Sequence, residues 1–258
     1  MIFLGDIASP NNFTSSCFDK GLSENHRIFS DKRLITNFEG LIVDGATIRS
    51  NKPVLYNHSS ILGSLNPEQK PILCLANNHI LDLPERFEPT LNLLNEKGIS
   101  YCGTGRSVKE AEEPFIFNES VQKVVLFNAC WNFLLYNHKN PRLGIYVSEL
   151  REERLLERIR DYKKDSPESS IVVYLHWNLD LETLPFPMHR RFARDLIDEG
   201  ASVVIGSHSH CVQGGEKYKE GYIVYGLGNF FMPHNQFING KLLYPEFAST
   251  ELALEWDA

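Results

Sequence analysis

Short apolar runs recur along this chain, and each stops at glycine or at a side chain able to do chemistry. Ile2-Phe3-Leu4 leads into Gly5-Asp6, Leu34-Ile35 into Asn37 and Glu39, and the run Pro71 to Ala76 into Asn77-Asn78-His79. Val124 to Phe127 precedes Asn128, and Ile171 to Leu175 precedes His176-Trp177. Val203 to Ile205 precedes Gly206 and His208, and Tyr222 to Tyr225 precedes Gly226 and Asn229. Continuous apolar runs this short, rich in β-branched residues, fit strands buried on both faces. In an open α/β sheet, ligands bind beyond the carboxyl ends of the strands. The pattern therefore predicts polar side chains gathered at one edge of a layered α/β domain.

Helical periodicity fills the spaces between the runs. Pro84 to Lys97 carries Phe87, Leu91 and Leu94 on one face and stops at Gly98. Ser148 is placed to cap a helix whose apolar stripe is Leu155, Leu156, Ile159 and Tyr162. Pro187 opens a third helix, with Met188, Phe192, Leu196 and Ile197 on one side and Gly200 after its end. Residues 51–71 and 232–247 read as irregular, and Phe247 to Trp256 as a final strand. With no repeat and no low-complexity linker, the 258 residues read as a single domain, 1–258.

Composition excludes several classes. The formal charge is -7, and the one dense charge run, from Arg151 to Lys164, mixes signs. Nucleic acid needs clustered Lys and Arg, so it is not expected as a partner. Cys17, Cys74, Cys102, Cys130 and Cys211 are scattered and form no CxxC pair. They read as reduced, small apolar residues of a reducing compartment, and a cytoplasmic location is expected. No stretch approaches the roughly 20 apolar residues of a membrane span, and no signal peptide is visible. GxSxG, P-loop and GxGxxG motifs are absent.

Taken singly, the strand-end residues leave alternatives open. Asp6 fits a cap for the next segment as well as a metal ligand. Asn37 and Glu39, two apart, share a face of an extended segment, and Glu39 can bridge two cations or sit at a solvated edge. Asn77-Asn78-His79 is either a turn or a neutral oxygen ligand beside a proton donor, with Asp82 close enough to orient His79. His208 and His210 share a face if extended and diverge around a turn. Imidazole suits zinc, iron or manganese. His26, His58, His138, His189 and His234 lack such context and read as surface or structural, with His189 near enough to Pro187 to face the cleft.

The order of motifs is more specific than any one of them. Gly5-Asp6, Asn37-Phe38-Glu39, Leu75 to His79 with Asp82, His176-Trp177, Gly206 to His210 and Gly226 to Phe230 together resemble the bacterial capsule-synthesis and poly-γ-glutamate-synthesis (CapA-like) family, a branch of the calcineurin-like metallophosphatases. The resemblance runs from Gly5 to Phe231 and is especially close from Asp195 to Gly215. It implies a four-layer α/β/β/α sandwich of two packed sheets, with one or two divalent ions (manganese, iron or zinc) at the strand ends. It implies that Asp6 and His210 serve one ion, that Asn78, His176 and His208 serve the other, and that Glu39 bridges them. It implies His79 and Asp82 as the catalytic pair, with Asn37, Trp177 and Asn229 near substrate.

The substrate implied is a phosphoester or an anionic polymer of capsule, polysaccharide or poly-γ-glutamate synthesis, with amide hydrolysis or transfer, or non-catalytic ligand binding, as alternatives. The sequence departs from the pattern at Ala8, where the wider superfamily has histidine, and at Asn178, Asp180 and Ser209, where the family favours glycine, glutamate and proline. Members often carry an N-terminal membrane anchor, which is not visible in these residues.

Overall fold

The computed structural model describes residues 1–24, 26–45, 54–135, 144–232 and 244–258. His138 and His234, part of the expected irregular stretches and the side chain of His26 lie outside the described residues.

The apolar runs form two large sheets. The first has the order Asn229–Phe231, Ile2–Ile7, Leu34–Phe38, Ile72–Cys74, Ser100–Cys102, all parallel, with Leu254–Glu255 antiparallel beside the start of Ile2–Ile7. The second has the order Glu149–Leu150, Gln122–Trp131, Ser170–His176, Val203–Ser207, Gly221–Val224, Gly215–Tyr218, with Phe115–Glu119 also on Gln122–Trp131. It is parallel except for two hairpin pairings, Phe115–Glu119 with Gln122–Trp131 and Gly215–Tyr218 with Gly221–Val224.

Alternation along the strands builds the layers. Phe3, Ile35, Ile72 and Cys74 of the first sheet meet Leu126, Val172, Tyr174 and Ile205 of the second in one buried cluster. The opposite face of the first sheet, through Ile7, Phe38, Leu73 and Leu75, packs on Phe18 of helix Asn12–Glu24 and on Phe87, Leu91 and Leu94 of helix Phe87–Glu96. The opposite face of the second, through Val125, Ile171, Val173 and Leu175, packs on Leu155 and Ile159 of helix Glu152–Asp165 and on Phe192, Leu196 and Ile197 of helix Pro187–Asp198. These clusters make the expected four layers, helix, sheet, sheet, helix. Each fully buried large apolar side chain contributes roughly 1.5–3 kcal/mol relative to exposure.

Two local expectations are corrected. Ser148 does not cap a helix: its N–H donates to Gly103 O and its carbonyl accepts from Cys130 N, so its backbone is committed to the sheet region. The helix starts at Glu152, where Glu152 and Glu153 complement its positive end. The final strand is only Leu254–Glu255, because Pro245 opens a 3-10 turn at Glu246–Ser249 and Phe247 is left half exposed. Four of the five cysteines are buried and Cys17 is exposed. No helix among the described residues is long and apolar enough to cross a membrane.

A backbone irregularity sets the first site residue. The register between Ile2–Ile7 and Leu34–Phe38 shifts between Leu4 and Asp6. Phe3 faces the other sheet and Leu4 faces outward, so regular alternation would send Asp6 outward too. The extra residue, Gly5, turns Asp6 toward the space between the sheets. The carbonyls at the irregularity are satisfied from outside the ladder: Thr36 Oγ1 donates to Gly5 O at 2.7 Å and Tyr174 Oη to Leu4 O at 2.6 Å.

Candidate metal centre

At the carboxyl ends of both sheets, Asp6, Glu39 and His176 come together, each fully buried. Asn37 holds the two carboxylates. Its Nδ2 donates to Asp6 Oδ1 at 2.7 Å and to Glu39 Oε1 at 3.1 Å. Its own Oδ1 accepts from Asn77 Nδ2 at 3.3 Å. Asp6 Oδ2 accepts from the His208 N–H at 3.0 Å, which ties the first sheet to the loop after Val203–Ser207. Burial raises both carboxyl pKa values. Glu39 is pushed further by its neighbour Asp6, whereas His210 pulls Asp6 down.

His176 ends its strand on the face between the sheets, the parity set by Val172 and Tyr174. Ser207 Oγ lies 3.1 Å from His176 Nδ1 and donates to Leu175 O at 3.4 Å. Both contacts are satisfied when Nδ1 carries the proton. The Nε2 lone pair then faces Asn78 Oδ1 at 2.8 Å and Glu39 Oε1 at 3.8 Å. Burial first, then the neighbouring histidines, push the His176 and His208 pKa values well below the usual range, so both rings are neutral, the ligating form.

This donor set fits a divalent cation. An imidazole lone pair, an amide oxygen and carboxylate oxygens converge in a buried space, where like charges without a counter-ion are costly. Among the described residues no Lys or Arg pairs with Asp6 or Glu39. Glu39 Oε2 and His208 Nδ1 are buried with no hydrogen-bond partner.

His208 and His210 both have left-handed backbones, φ +85° and +55°, so the segment turns and the two rings diverge. His208 lies against His176, ring centroids 4.6 Å apart, and His210 stands 6.0 Å from His208. His210 Nδ1 donates to Asn229 Oδ1 at 2.7 Å and passes Asp6 Oδ2 at 3.4 Å. Its Nε2 faces Asp180 Oδ1 at 3.9 Å, and His208 Nε2 faces the same oxygen at 3.4 Å. The grouping therefore differs from the expected one. Asp6, Glu39 and His176 with Asn78 form an inner set, and Asp180, His208 and His210 an outer one.

Asn77 is the turn-former of its motif. Its Oδ1 accepts from the His79 N–H at 3.1 Å, which leaves Asn78 to point at His176. His79 is half-buried at the rim, and its Nδ1 lies 2.7 Å from Asp82 Oδ2, which also accepts from Leu55 N at 3.0 Å. The three residues expected near substrate, Asn37, Trp177 and Asn229, are all buried. Asn37 is enclosed by Asp6, Glu39 and Asn77. Asn229 is spent on His210 and on Ala248 O. Trp177 faces the outer helices, with Nε1 donating to Tyr225 O at 2.9 Å.

The sequence reading names Asp180 only as a departure from the family pattern and passes over Ser207 and Tyr244. The Tyr244 ring is 5.2 Å from that of His210, and burial with the nearby Glu39 and Asp6 charges raises its phenol, which stays protonated. His58 is half-buried and pairs with Ser60 and Asp44. His189 is fully buried and not open to a cleft. It stacks on Trp177 at 4.8 Å, and its Nδ1 donates to Asn178 Oδ1 at 2.7 Å, which leaves Nε2 without a partner.

Burial lowers the His189 pKa to about 4. A folded-state value below the unfolded value of about 6.5 means that the unfolded chain takes up the proton first. Stability from this group is complete above pH ~6.5 and is lost as pH falls toward 4, by about 3 kcal/mol at most. His189→Gln should flatten that acid limb, read as the pH slope of urea unfolding for metal-free protein. An unchanged slope contradicts the assignment.

The family model described as bacterial capsule synthesis protein PGA_cap matches residues 1–234. The capsule biosynthesis protein CapA of Bacillus anthracis is 27% identical over 164 residues, 62% of this chain and 39% of that protein. The PGA biosynthesis protein CapA of Bacillus subtilis is 26% identical over 163 residues, 62% of this chain and 42% of that protein. The chain thus spans only about two fifths of the length of these relatives. Among solved structures, a putative 5'-nucleotidase from Staphylococcus aureus superposes with a TM-score of 0.56 at 14% identity, covering 88% of this chain and 48% of that one. A novel phosphatase from Mycoplasma pneumoniae superposes with a TM-score of 0.51 at 15% identity, covering 88% and 71%. At such identities the likeness is one of fold, the calcineurin-like metallophosphatase fold. A match running from the first strand past the last glycine-rich turn settles the lineage: the chain belongs to the bacterial capsule synthesis protein family PGA_cap.

Proposed function

We propose that this protein is a metal-dependent hydrolase that cleaves a phosphoester in an anionic substrate of capsule or poly-γ-glutamate biosynthesis. The observation that carries the reading is the convergence of His176 Nε2, Asn78 Oδ1, Glu39 Oε1 and the Asp6 carboxylate in a buried space with no Lys or Arg paired to either carboxylate among the described residues. Asp6, Glu39, Asn78, His176, His208 and His210 would hold one or two divalent ions, manganese, iron or zinc. Such ions withdraw charge from the scissile group and from attacking water.

The chain supplies the rest. Asn37 fixes the two carboxylates relative to each other, and Ser207 and Asn229 fix the tautomers of His176 and His210. Asp82 accepts from His79 Nδ1, so Nε2 is the atom that exchanges a proton at the rim. When protonated, it is suited to donate to a leaving oxygen. His79 is near enough for its charge to depress the His176 and His208 pKa values.

The test is an assay of phosphomonoesters and phosphodiesters with added manganese, on wild type and His208→Ala. Metal-dependent turnover lost in the variant supports the reading, and equal activity in both proteins sinks it. Asp82→Asn should reduce kcat about 10–100-fold with metal content unchanged, because it frees the His79 ring without touching a ligand. A fall in metal content instead would place Asp82 in the ligand framework. The relatives' names motivate a second reading, amide hydrolysis or transfer on a poly-γ-glutamate chain. Cleavage of that polymer without phosphatase activity would favour it.

A further inference from the structure

Ala8 is fully buried and offers no ligand atom, yet the outer side of the site holds a carboxylate delivered from another loop. Asp180 Oδ1 lies 3.4 Å from His208 Nε2 and 3.9 Å from His210 Nε2. In its neutral form His210 keeps its one proton on Nδ1, where the Asn229 carboxamide oxygen accepts it, and the nitrogen aimed at Asp180 is then a lone-pair donor. The ligand atoms of Asp180, His208 and His210 all lie within 4.8 Å of one another, a spacing at which one cation can reach all three.

The approach of Asp180 is built. Leu181 N donates to Ser209 O at 2.9 Å, within the histidine turn itself. Asn178 Nδ2 donates to Gln213 Oε1 at 2.9 Å, and Gln213 Nε2 donates to Glu182 O at 2.8 Å. These bonds bracket Asp180 on both sides and fasten its loop to residues 209–213. Asn178 and Leu181 both hold positive φ, +70° and +60°, and for Leu181 that conformation costs energy which the surrounding bonds must offset. The carboxylate itself remains two-thirds exposed, with side-chain accessibility of 67%.

We propose that Asp180 is a metal ligand, which completes with His208 and His210 a second cation position on the solvent side of the inner one. This rests on the metal-centre reading above and assigns the outer position its only anionic ligand among the grouped residues. The exposed carboxylate makes the outer ion the more weakly held and more exchangeable of the two.

The test uses the full chain, freed of metal and titrated with manganese. Binding is followed by calorimetry, elemental analysis after desalting, and the spin-coupled electron paramagnetic resonance signal of a manganese pair. Wild type should bind two ions and show the coupled signal. Asp180→Asn should keep the inner ion at wild-type affinity, weaken the outer at least tenfold and lose the coupling. Asp180→Ala should do the same, and thermal unfolding of the metal-free variants checks their folding. Two ions at wild-type affinity in either folded variant overturn the proposal while leaving the metal centre intact. A single ion in wild type that persists in both variants also overturns it. No binding by wild type refutes the metal-centre reading itself.

Discussion

Glu39→Gln is expected to strip metal from the protein and abolish turnover, and at the same time to make the metal-free chain more stable. Glu39 is fully buried, shares the Asn37 amide with Asp6, and has one carboxylate oxygen without a partner. Burial and the Asp6 charge raise its pKa well above the usual carboxylate range. A raised acid pKa in the folded state means that stability is lost as pH rises from the unfolded value of about 4.3 through the folded one. At neutral pH the metal-free wild type therefore carries a penalty that glutamine removes. An uncompensated buried charge costs about 3–5 kcal/mol, which sets the upper limit of that relief. With metal present the sign reverses, because the carboxylate is the charge that the cation needs. Losing several kcal/mol of cation assistance corresponds to roughly a thousandfold or more in rate. Elemental analysis, a phosphoester assay and urea unfolding in chelator check the three parts. A metal-free variant less stable than wild type at neutral pH contradicts the account, as does unchanged metal content.

The second large effect is expected from a methyl group. In Gly5→Ala the new Cβ would lie 2.0 Å from Gly228 O and 2.9 Å from Gly228 C, both backbone atoms. That same carbonyl accepts the Asp6 N–H at 3.0 Å. Relief requires the first strand to move away from Gly228, which shifts Asp6. Destabilisation should reach or exceed the top of the usual overpacking range of about 1–3 kcal/mol, and metal affinity should fall with it. Gly21→Ala, in helix Asn12–Glu24 with nothing within 4 Å, is the contrast. It should leave metal binding unchanged and stabilise by up to about 1 kcal/mol. Chemical unfolding of both variants decides the matter, and equal stabilities would show that the close approach at Gly5 is not rigid.

The fold was largely legible because its parallel strands are buried on both faces. Runs such as Val203 to Ile205 announce themselves, and the polar residues that end them fall at one sheet edge. Asn37 and Glu39 share a face, as their spacing of two implies, and the Asn37 amide donates to the carboxylates of both Asp6 and Glu39. The same period, applied to His176 and Trp177, separates them. Val172 and Tyr174 fix His176 between the sheets, and Val173 and Leu175 fix Trp177 on the helix side. That parity was legible in the sequence.

Other features had no local signal. Nothing in Gly206 to His210 specifies left-handed backbones at two histidines, and those dihedrals decide which ring faces Asp6 and which faces His176. The register shift at Gly5 depends on the pairing partner, and without it Asp6 would face the outer layer. Asp180 reaches the site through contacts 28 or more residues distant, Leu181 to Ser209 among them. Ser148 looked like a helix cap because its neighbours suited one, but its backbone groups were claimed by Gly103 and Cys130.

The central claim is that the strand ends hold metal, and it is tested most directly by elemental analysis of protein purified without chelators or a nickel column. The account predicts at least one equivalent of manganese, iron or zinc per chain, lost in His176→Ala while the variant remains folded by circular dichroism. Only trace metal in wild type, even after incubation with each of the three ions, would contradict it.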